Sequence, residues 1–271
     1  MLFVLLLVFG CVKDITQTNN SNTTNPTQNL TDLNQIWIPE KNSTFQWQLD
    51  GELDTTINAT VYDIDLFDNN ADDIENLHSK GKKVICYISA GSWENWRDDK
   101  DDFPLQIIGK NYDGWDGEKW LDIRRIDLLG PVITKRLDLA KEKGCDGIEP
   151  DNIDGYETET GFPITEYDQL EYNIWLANET HKRGMSIGLK NDAMQTTELV
   201  GYFDWALTED CYAENWCEKV KIFSMNGKTV FQVEYTDQGT VLGDFCLESK
   251  KNEYVGILKN KELDAWRESC S

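Results

Sequence analysis

The sequence has 271 residues, of which 39% are hydrophobic and 11% aromatic, enough for one globular domain with a substantial core. Its 49 Asp and Glu residues outnumber 26 Lys and Arg, so the formal net charge is -23. This charge would repel nucleic acid and other anionic partners, and it favours a neutral or cationic partner.

The first eleven residues, MLFVLLLVFGC, are predicted to be a signal peptide, because their apolar run is too short to span a bilayer. The ending from Val8 to Cys11 resembles the lipobox of prokaryotic lipoproteins, in which the cysteine carries the lipid anchor. No Lys or Arg precedes the run and Phe9 is bulky for a lipobox, so a lipid anchor at Cys11 and an incidental cysteine both stay open. Either way, we expect an extracellular or cell-surface protein, anchored to the membrane if Cys11 is lipidated.

Residues 12–34 are rich in Asn and Thr and cannot bury a core, so they are predicted to form a flexible tether. We expect the folded domain to cover residues 35–271. Six cysteines follow the tether, an even number that is typical of disulfides in an exported chain. Cys211 and Cys217 bracket a short loop and Cys246 could pair with Cys270, whereas Cys86 and Cys145 lie in apolar runs and could equally be buried thiols.

Three segments share one pattern: LHSKGKKVICYISAG, AKEKGCDGIEPDN and THKRGMSIGLKND. In each, a polar helical turn ends at a glycine, at position 81, 144 or 184, and an apolar strand follows. Glycine suits the left-handed conformation that closes a helix, and cations favour the last turn. This placement explains His78 and His181 as residues of helix ends. With no HExxH and no paired CxxC motif in the sequence, we predict neither a metal nor a cofactor.

Five further apolar runs lie near Trp47 and from Ala59, Phe203, Lys228 and Glu253, which makes about eight strands. Helices are predicted over residues 71–80, 128–143 and 166–183. Strands that alternate with helices predict a parallel sheet, and about eight repeats favour an α/β fold of the (β/α)8 TIM barrel type in a single domain. No phosphate-binding glycine motif follows any strand, which argues against a nucleotide-binding open sheet.

The active site of such a barrel lies at the carboxyl ends of its strands, where this sequence gathers charged residues. Side chains two apart share a face, so Glu149 accompanies Asp151 and Asp63 accompanies Asp65. Other strand ends add further residues: Lys190, Asp192, Glu209, Glu234 and Tyr235. Asp146, Asp154 and Asp210 are interpreted instead as helix caps or loop acceptors.

Like charges on one rim raise one another's pKa, which is usually tolerated where chemistry or a cation requires them. Two carboxylates that flank a glycosidic bond are the minimum apparatus of most glycosidases. A serine hydrolase is excluded by the lack of a GxSxG motif and of a suitably placed histidine.

Seven motifs, VYDIDLFD, KKVICYISAGSWENWR, WLDIR, KGCDGIEPDNIDGY, GLKND, FDWALTEDC and VFQVEY, occur in order between about Trp37 and Cys270. In these motifs the chain resembles glycoside hydrolase family 114, the endo-alpha-1,4-polygalactosaminidase family. The resemblance implies a (β/α)8 barrel that cleaves internal alpha-1,4 bonds of galactosamine-containing polysaccharide with retention of configuration. Deacetylated galactosamine is cationic, so this substrate agrees with the acidic composition.

The resemblance also implies that Asp151 is the nucleophile and Glu209 the general acid/base, with Glu149 as the main rival of Asp151. Where the family usually reads Asn-Glu-Gln-Cys, this chain has Thr208-Glu209-Asp210-Cys211, with one more negative charge. The residues expected to bind the sugar are Asp63, Asp65, Tyr87, Trp93, Glu149, Lys190, Asp192 and Glu234. Two alternatives stay open: a glycosidase that acts on another alpha-linked polymer, and a non-catalytic polysaccharide-binding lipoprotein of the cell surface.

Overall fold

The computed structural model describes residues 36–270. The predicted signal peptide, Cys11 and all of the predicted tether lie outside these residues. The strands are β1 (Phe45–Gln48), β2 (Val61–Asp65), β3 (Lys83–Ser89), β4 (Ser92–Glu94), β5 (Ile108–Asn111), β6 (Glu118–Leu121), β7 (Gly147–Asp151), β8 (Ser186–Lys190), β9 (Trp205–Glu209), β10 (Val230–Tyr235), β11 (Val255–Lys259) and β12 (Arg267–Ser269). The helices are α1 (Ala71–Ser79), α2 (Ile126–Lys143), α3 (Glu166–Lys182), α4 (Thr196–Leu199), α5 (Lys221–Met225) and α6 (Leu242–Asn252). Within this part of the chain, no helix is long and apolar enough to cross a membrane.

Eight strands pair in parallel in the order β1-β2-β3-β7-β8-β9-β10-β11. This order follows the chain, and a helix lies in each crossover from β2 onwards, so the predicted (β/α)8 barrel is confirmed. The three predicted helices correspond to α1, α2 and α3, with ends that differ by no more than two residues. Each predicted glycine has a left-handed backbone, with φ of 73° at Gly81, 95° at Gly144 and 75° at Gly184.

The barrel is closed by a C-terminal segment that the sequence did not predict. Strand β12 pairs antiparallel with β11. The Arg267 guanidinium donates to the Phe45 carbonyl of β1 at 2.5 Å, and the Leu49 amide donates to the Leu263 carbonyl at 2.9 Å. The segment therefore bridges the last parallel strand to the first, which satisfies backbone groups that an open edge would expose.

A second sheet lies between β3 and α2, in the order β4-β6-β5, and its pairs are antiparallel. It interrupts the barrel repeat for the stretch from Ser92 to Leu121. Because it leaves the barrel at the carboxyl end of β3, it forms a wall over the end where TIM barrels hold their active sites.

Aromatic side chains fill the lower interior of the barrel. The rings of Phe45 and Phe231 stack with their centroids 4.0 Å apart, and Trp205 packs edge-on against Phe231. A Cβ on Gly188 would lie 2.3 Å from the Trp205 indole, so the absent side chain makes room for this ring. The lower interior of the barrel is thus packed mainly with aromatic side chains.

Three disulfides link Cys86 to Cys145, Cys211 to Cys217 and Cys246 to Cys270. The last two are the pairs that the sequence suggested. The first resolves the open alternative, because Cys145 shortly precedes β7, the strand that pairs with β3, where Cys86 lies. Three disulfides are typical of a protein that folds in an oxidising compartment outside the cytosol.

Candidate active site

Lys190, the last residue of β8, is the centre of the site. Its Nζ lies 2.8 Å from Asp151 Oδ1 and 2.9 Å from Glu149 Oε1. The same nitrogen lies 3.1 Å from Glu209 Oε2 and 4.8 Å from the centre of the Trp47 ring. Burial alone would lower the pKa of Lys190, but the surrounding carboxylates outweigh it and raise this pKa well above its ordinary value. The ammonium is therefore charged, and it gathers three of the predicted carboxylates.

Asp151 and Glu209 are the members of this group that reach the solvent, with side chains 22% and 28% exposed. The Tyr87 hydroxyl donates to Asp151 Oδ2 at 3.1 Å. Glu209 accepts from the Tyr235 hydroxyl at 2.6 Å and from Asn191 Nδ2 at 3.1 Å. Each carboxylate is thus oriented by a neighbouring donor in addition to Lys190, which is the preorganisation that a reacting group needs.

Glu149 and Asp63 lie beneath this pair and are fully buried. Glu149 Oε2 accepts from Trp47 Nε1 at 3.0 Å, and burial raises the pKa of Glu149 to about 7. Within residues 36–270, no donor contacts either oxygen of Asp63. Burial, and next the adjacent Glu149, raise the pKa of Asp63 well above its ordinary value. Neither group can touch a sugar that lies in the cleft.

The backbone turns sharply after each of the three strands that carry the site. Asn152, Asn191 and Asp210 follow Asp151, Lys190 and Glu209 directly, and their φ values are 62°, 51° and 50°. Asn and Asp tolerate this left-handed conformation better than other residues with a side chain. Their placement directs the chain away from the barrel mouth and leaves the functional side chains facing the cleft.

The cleft above these carboxylates has a volume of about 470 Å³. Its walls come from the barrel mouth, from the antiparallel sheet and from the closing segment. Asp65 lies in one wall, where it forms an ion pair of 2.5 Å with Arg97. Two exposed indoles line it as well, Trp96 at 48% and Trp115 at 53% exposure. A cleft of this size with flat aromatic surfaces and oriented carboxylates suits a carbohydrate.

Two carboxylates in the cleft keep oxygens that no donor among residues 36–270 contacts. Glu118 accepts from Ser92 Oγ and from Asn152 Nδ2 through Oε1, which leaves its Oε2 available. Asp154, interpreted from sequence as a cap, makes no such side-chain bond. Burial raises the pKa of Glu118 to about 7, and burial followed by the charge of Asp151 does the same for Asp154. Both could therefore accept hydrogen bonds from a cationic ligand.

The model of glycoside-hydrolase family GH114 matches residues 26–271, nearly the whole chain. The chain belongs to glycoside hydrolase family GH114. This GH114 protein is a glycoside hydrolase with a TIM barrel fold. A comparison with curated proteins finds no match.

Two solved structures resemble this GH114 enzyme over most of its length. Ega3 of Aspergillus fumigatus, solved in complex with galactosamine, is 38% identical to this chain, and the TM-score is 0.82. The match covers 86% of this chain and 97% of Ega3. The glycoside hydrolase domain of PelA from Pseudomonas aeruginosa has a TM-score of 0.63 and covers 83% of this chain and 97% of that domain. At 13% identity, PelA shows a shared fold.

Five residues that the sequence assigned to the sugar site of this GH114 enzyme do not line the cleft. Asp192 is buried and accepts from Asn173 Nδ2 at 2.9 Å. Glu234 points away from the barrel interior and accepts from the Tyr212 amide at 2.8 Å. Trp93 is half-buried, and its Nε1 donates to the Lys100 carbonyl at 3.0 Å. Asp63 and Glu149 do not line the cleft either, whereas Asp65, Tyr87 and Lys190 do.

Four residues that line the cleft are absent from the site residues predicted from sequence: Tyr235, Asn191, Glu118 and Trp115. The alternation of side chains along β10 could have identified Tyr235 instead of Glu234, because Tyr235 shares a face with Val233 of the inner core. Asn191 lies in the GLKND motif between Lys190 and Asp192, and it was not among the predicted site residues. Glu118 and Trp115 belong to the antiparallel sheet and its loop, which are not at the carboxyl ends of the barrel strands, so the barrel pattern does not point to them.

Among residues 36–270, the group with enough potential metal ligands consists of Cys211, Cys217 and Glu234, and its two sulfurs are joined in a disulfide.

Proposed function

We propose that this protein is an endo-acting glycoside hydrolase that cleaves alpha-1,4-linked galactosamine-containing polysaccharide. The observation that carries the proposal is the 38% identity to Ega3, which binds galactosamine in its solved structure, over 86% of this chain. The open cleft above Asp151 and Glu209 supports it, because a polymer needs access from both sides of the bond that is cut.

We assign Asp151 as the nucleophile and Glu209 as the general acid/base. The exposure of Asp151 and the complete burial of Glu149 support the choice between these two rivals, since a nucleophile must touch the anomeric carbon. Lys190 and Tyr87 stabilise the charged form of Asp151, which is the form that attacks. Glu209 would give its proton to the leaving oxygen and later take one from water.

The spacing of the two carboxylates supports retention of configuration. Asp151 Oδ1 and Glu209 Oε2 lie 2.8 and 3.1 Å from one nitrogen, so these oxygens are at most about 6 Å apart, the sum of the two distances. Retaining enzymes hold their carboxyl groups roughly 5 to 5.5 Å apart, whereas inverting enzymes need more space for a water molecule.

The preference for an amino sugar rests on charge. The net charge of -23 attracts a polycation, and Glu118 and Asp154 present carboxylate oxygens inside the cleft. A protonated amine on the sugar can donate to such an oxygen, whereas an N-acetyl group has no charge to offer. These carboxylates support binding of deacetylated units in the cleft.

The test is the release of reducing ends from partly deacetylated alpha-1,4-polygalactosamine by the domain of residues 35–271. We expect activity in the parent and in the control Asp113→Asn, whose side chain lies outside the cleft, and none in Asp151→Asn or Glu209→Gln. Far-ultraviolet circular dichroism establishes that each variant folds. A parent that binds the polymer without cutting it would indicate a polysaccharide-binding lipoprotein, and cleavage of another alpha-linked polymer would contradict the sugar assignment.

We also propose that the enzyme is held at the cell surface by a lipid on Cys11, with residues 12–34 as the tether. The disulfides support an exported location. Expression of the full chain in a bacterium that processes lipoproteins tests the anchor. The parent should partition with the membrane fraction, and Cys11→Ser should not. Equal partitioning of the two would contradict the anchor and leave the glycosidase assignment unaffected.

A further inference from the structure

A second cavity adjoins the catalytic cleft. It has a volume of about 490 Å³, which is within the range of sites for small ligands. Its lining consists of Phe67, Asp68, Trp96, Arg97, Asp98, Asp99, Lys135, Arg136, Leu139 and Lys143. Asp68, Trp96 and Arg97 also line the cleft, so the two cavities share a wall.

The positive charges of this second cavity are already engaged. Arg97 pairs with Asp65 at 2.5 Å, and Arg136 Nε pairs with Asp99 Oδ2 at 2.8 Å. Lys143 donates to two backbone carbonyls. Lys135 pairs with Asp102 at 2.9 Å. An anionic ligand would have to break these contacts, which makes an anion site unfavourable.

The groups that remain available are acidic or aromatic. The Asp68 side chain is 72% exposed, and its contact with Arg97 is 3.9 Å long. Asp98 is exposed and has no ionic or hydrogen-bonded partner among residues 36–270. The Trp96 indole is 48% exposed between the two cavities. An exposed indole face next to available carboxylates matches an amino sugar, which offers a C–H face for stacking and an ammonium for the carboxylates.

We propose that this second cavity is a distal subsite that binds further amino-sugar units of the polymer chain being cleaved. The proposal rests on the function proposed above and extends it. Trp96 stacks on a sugar at the junction, and Asp68 and Asp98 bind ammonium groups beyond it. Occupation of this subsite adds affinity for long chains while the chemistry at Asp151 and Glu209 stays the same.

The experiment compares kcat/KM on galactosamine oligomers of increasing length for the parent, Asp98→Lys and Asp101→Lys. Asp98 lines the second cavity but not the cleft, and Asp101 is exposed and lines neither, so the two variants change the net charge equally. We expect Asp98→Lys to lower kcat/KM for the longest oligomers by roughly three- to tenfold and to leave the shortest cleaved oligomer unchanged. Asp101→Lys should follow the parent at every length.

Two different results would contradict the distal subsite, and only one of them would also contradict the proposed substrate. If the parent cleaves the oligomers but Asp98→Lys and Asp101→Lys have the same length dependence, the distal subsite is wrong and the glycosidase assignment stands. If the parent cleaves no galactosamine oligomer of any length, the proposed substrate is wrong and the subsite fails with it. Asp98→Asn provides a second, milder variant, which should give a smaller loss in the same direction.

Discussion

Lys190 Nζ lies 2.9 Å from Glu149 Oε1 in the interior of the barrel, where the two side chains are 2% and 0% exposed. The same ammonium contacts Asp151 and Glu209 at the cleft. The buried ion pair therefore sets the position of the two carboxylates that can reach a substrate, and its removal should affect both stability and activity.

Replacement of Lys190 by Met should lower the free energy of unfolding by about 3 to 5 kcal/mol, because Glu149 would then be buried without its ion-pair partner. The loss should be smaller when Lys190→Met is introduced into Glu149→Gln, since one uncompensated charge is already absent. Urea unfolding of the parent, the two single variants and the double variant measures both values. Equal losses in the two backgrounds would show that the two side chains do not stabilise each other.

Glu149→Gln should retain measurable activity, whereas Asp151→Asn should lower kcat by at least roughly 10³-fold. The reason is that Glu149 is buried under the site and acts through Lys190, while Asp151 faces the cleft. Steady-state kinetics on the polymer, together with NMR of the anomer that is first released, test the roles and the stereochemistry. A more severe loss in Glu149→Gln than in Asp151→Asn would exchange the two assignments.

The KM for deacetylated oligomers should rise as the pH falls below about 7. The pKa values of Glu118 and Asp154 are raised to about 7, above their ordinary values, so these carboxyls take up protons in this range and lose their attraction for an ammonium. Between pH 7 and pH 6, the KM should rise roughly fivefold if one ionised carboxylate with a pKa of about 7 is required.

The N-acetylated oligomer is the control for this pH dependence, because it carries no ammonium and is cleaved by the same pair of carboxylates. The variants Glu118→Gln and Asp154→Asn should flatten the rise in KM. An equal rise for acetylated and deacetylated oligomers would mean that these two carboxylates do not bind the amine.

Affinity for galactosamine oligomers should fall as salt rises, because a net charge of -23 attracts a polycation through a field that ions screen. Binding of the oligomers to Glu209→Gln, measured by calorimetry from about 0.05 to about 0.5 M salt, gives the slope without turnover. Affinity that stays constant over this range would make the surface charge incidental to recognition.

Loss of the Cys86–Cys145 disulfide should reduce stability more than loss of Cys211–Cys217. The two bonds close loops with sequence separations of 59 and 6 residues, which correspond to about 4 and about 2 kcal/mol of loop-closure entropy. Paired Cys→Ala variants and denaturant unfolding test the order. Because Cys211 lies two residues after Glu209, we expect loss of its disulfide to impair activity more, despite the smaller change in stability.

Much of the barrel could be predicted because the signals are local. The capping glycines such as Gly144, the apolar strands and the helix predicted over residues 128–143 each depend on a short stretch of chain. The parallel order then brings all carboxyl strand ends to one rim, so a shared location for Asp151, Lys190 and Glu209 follows from the pattern of strands and helices alone.

What the sequence by itself determined about this protein is therefore the barrel, the rim that carries the site and the residue types gathered there. Only the tertiary structure decided which carboxylate is exposed. Glu149 and Asp151 point to the same face of β7, but Glu149 is buried inside the barrel and Asp151 reaches the solvent. It also paired Cys86 with Cys145 and brought Glu118 of the antiparallel sheet to the cleft. Depth and distant contacts depend on how separate segments pack, and no local pattern encodes them.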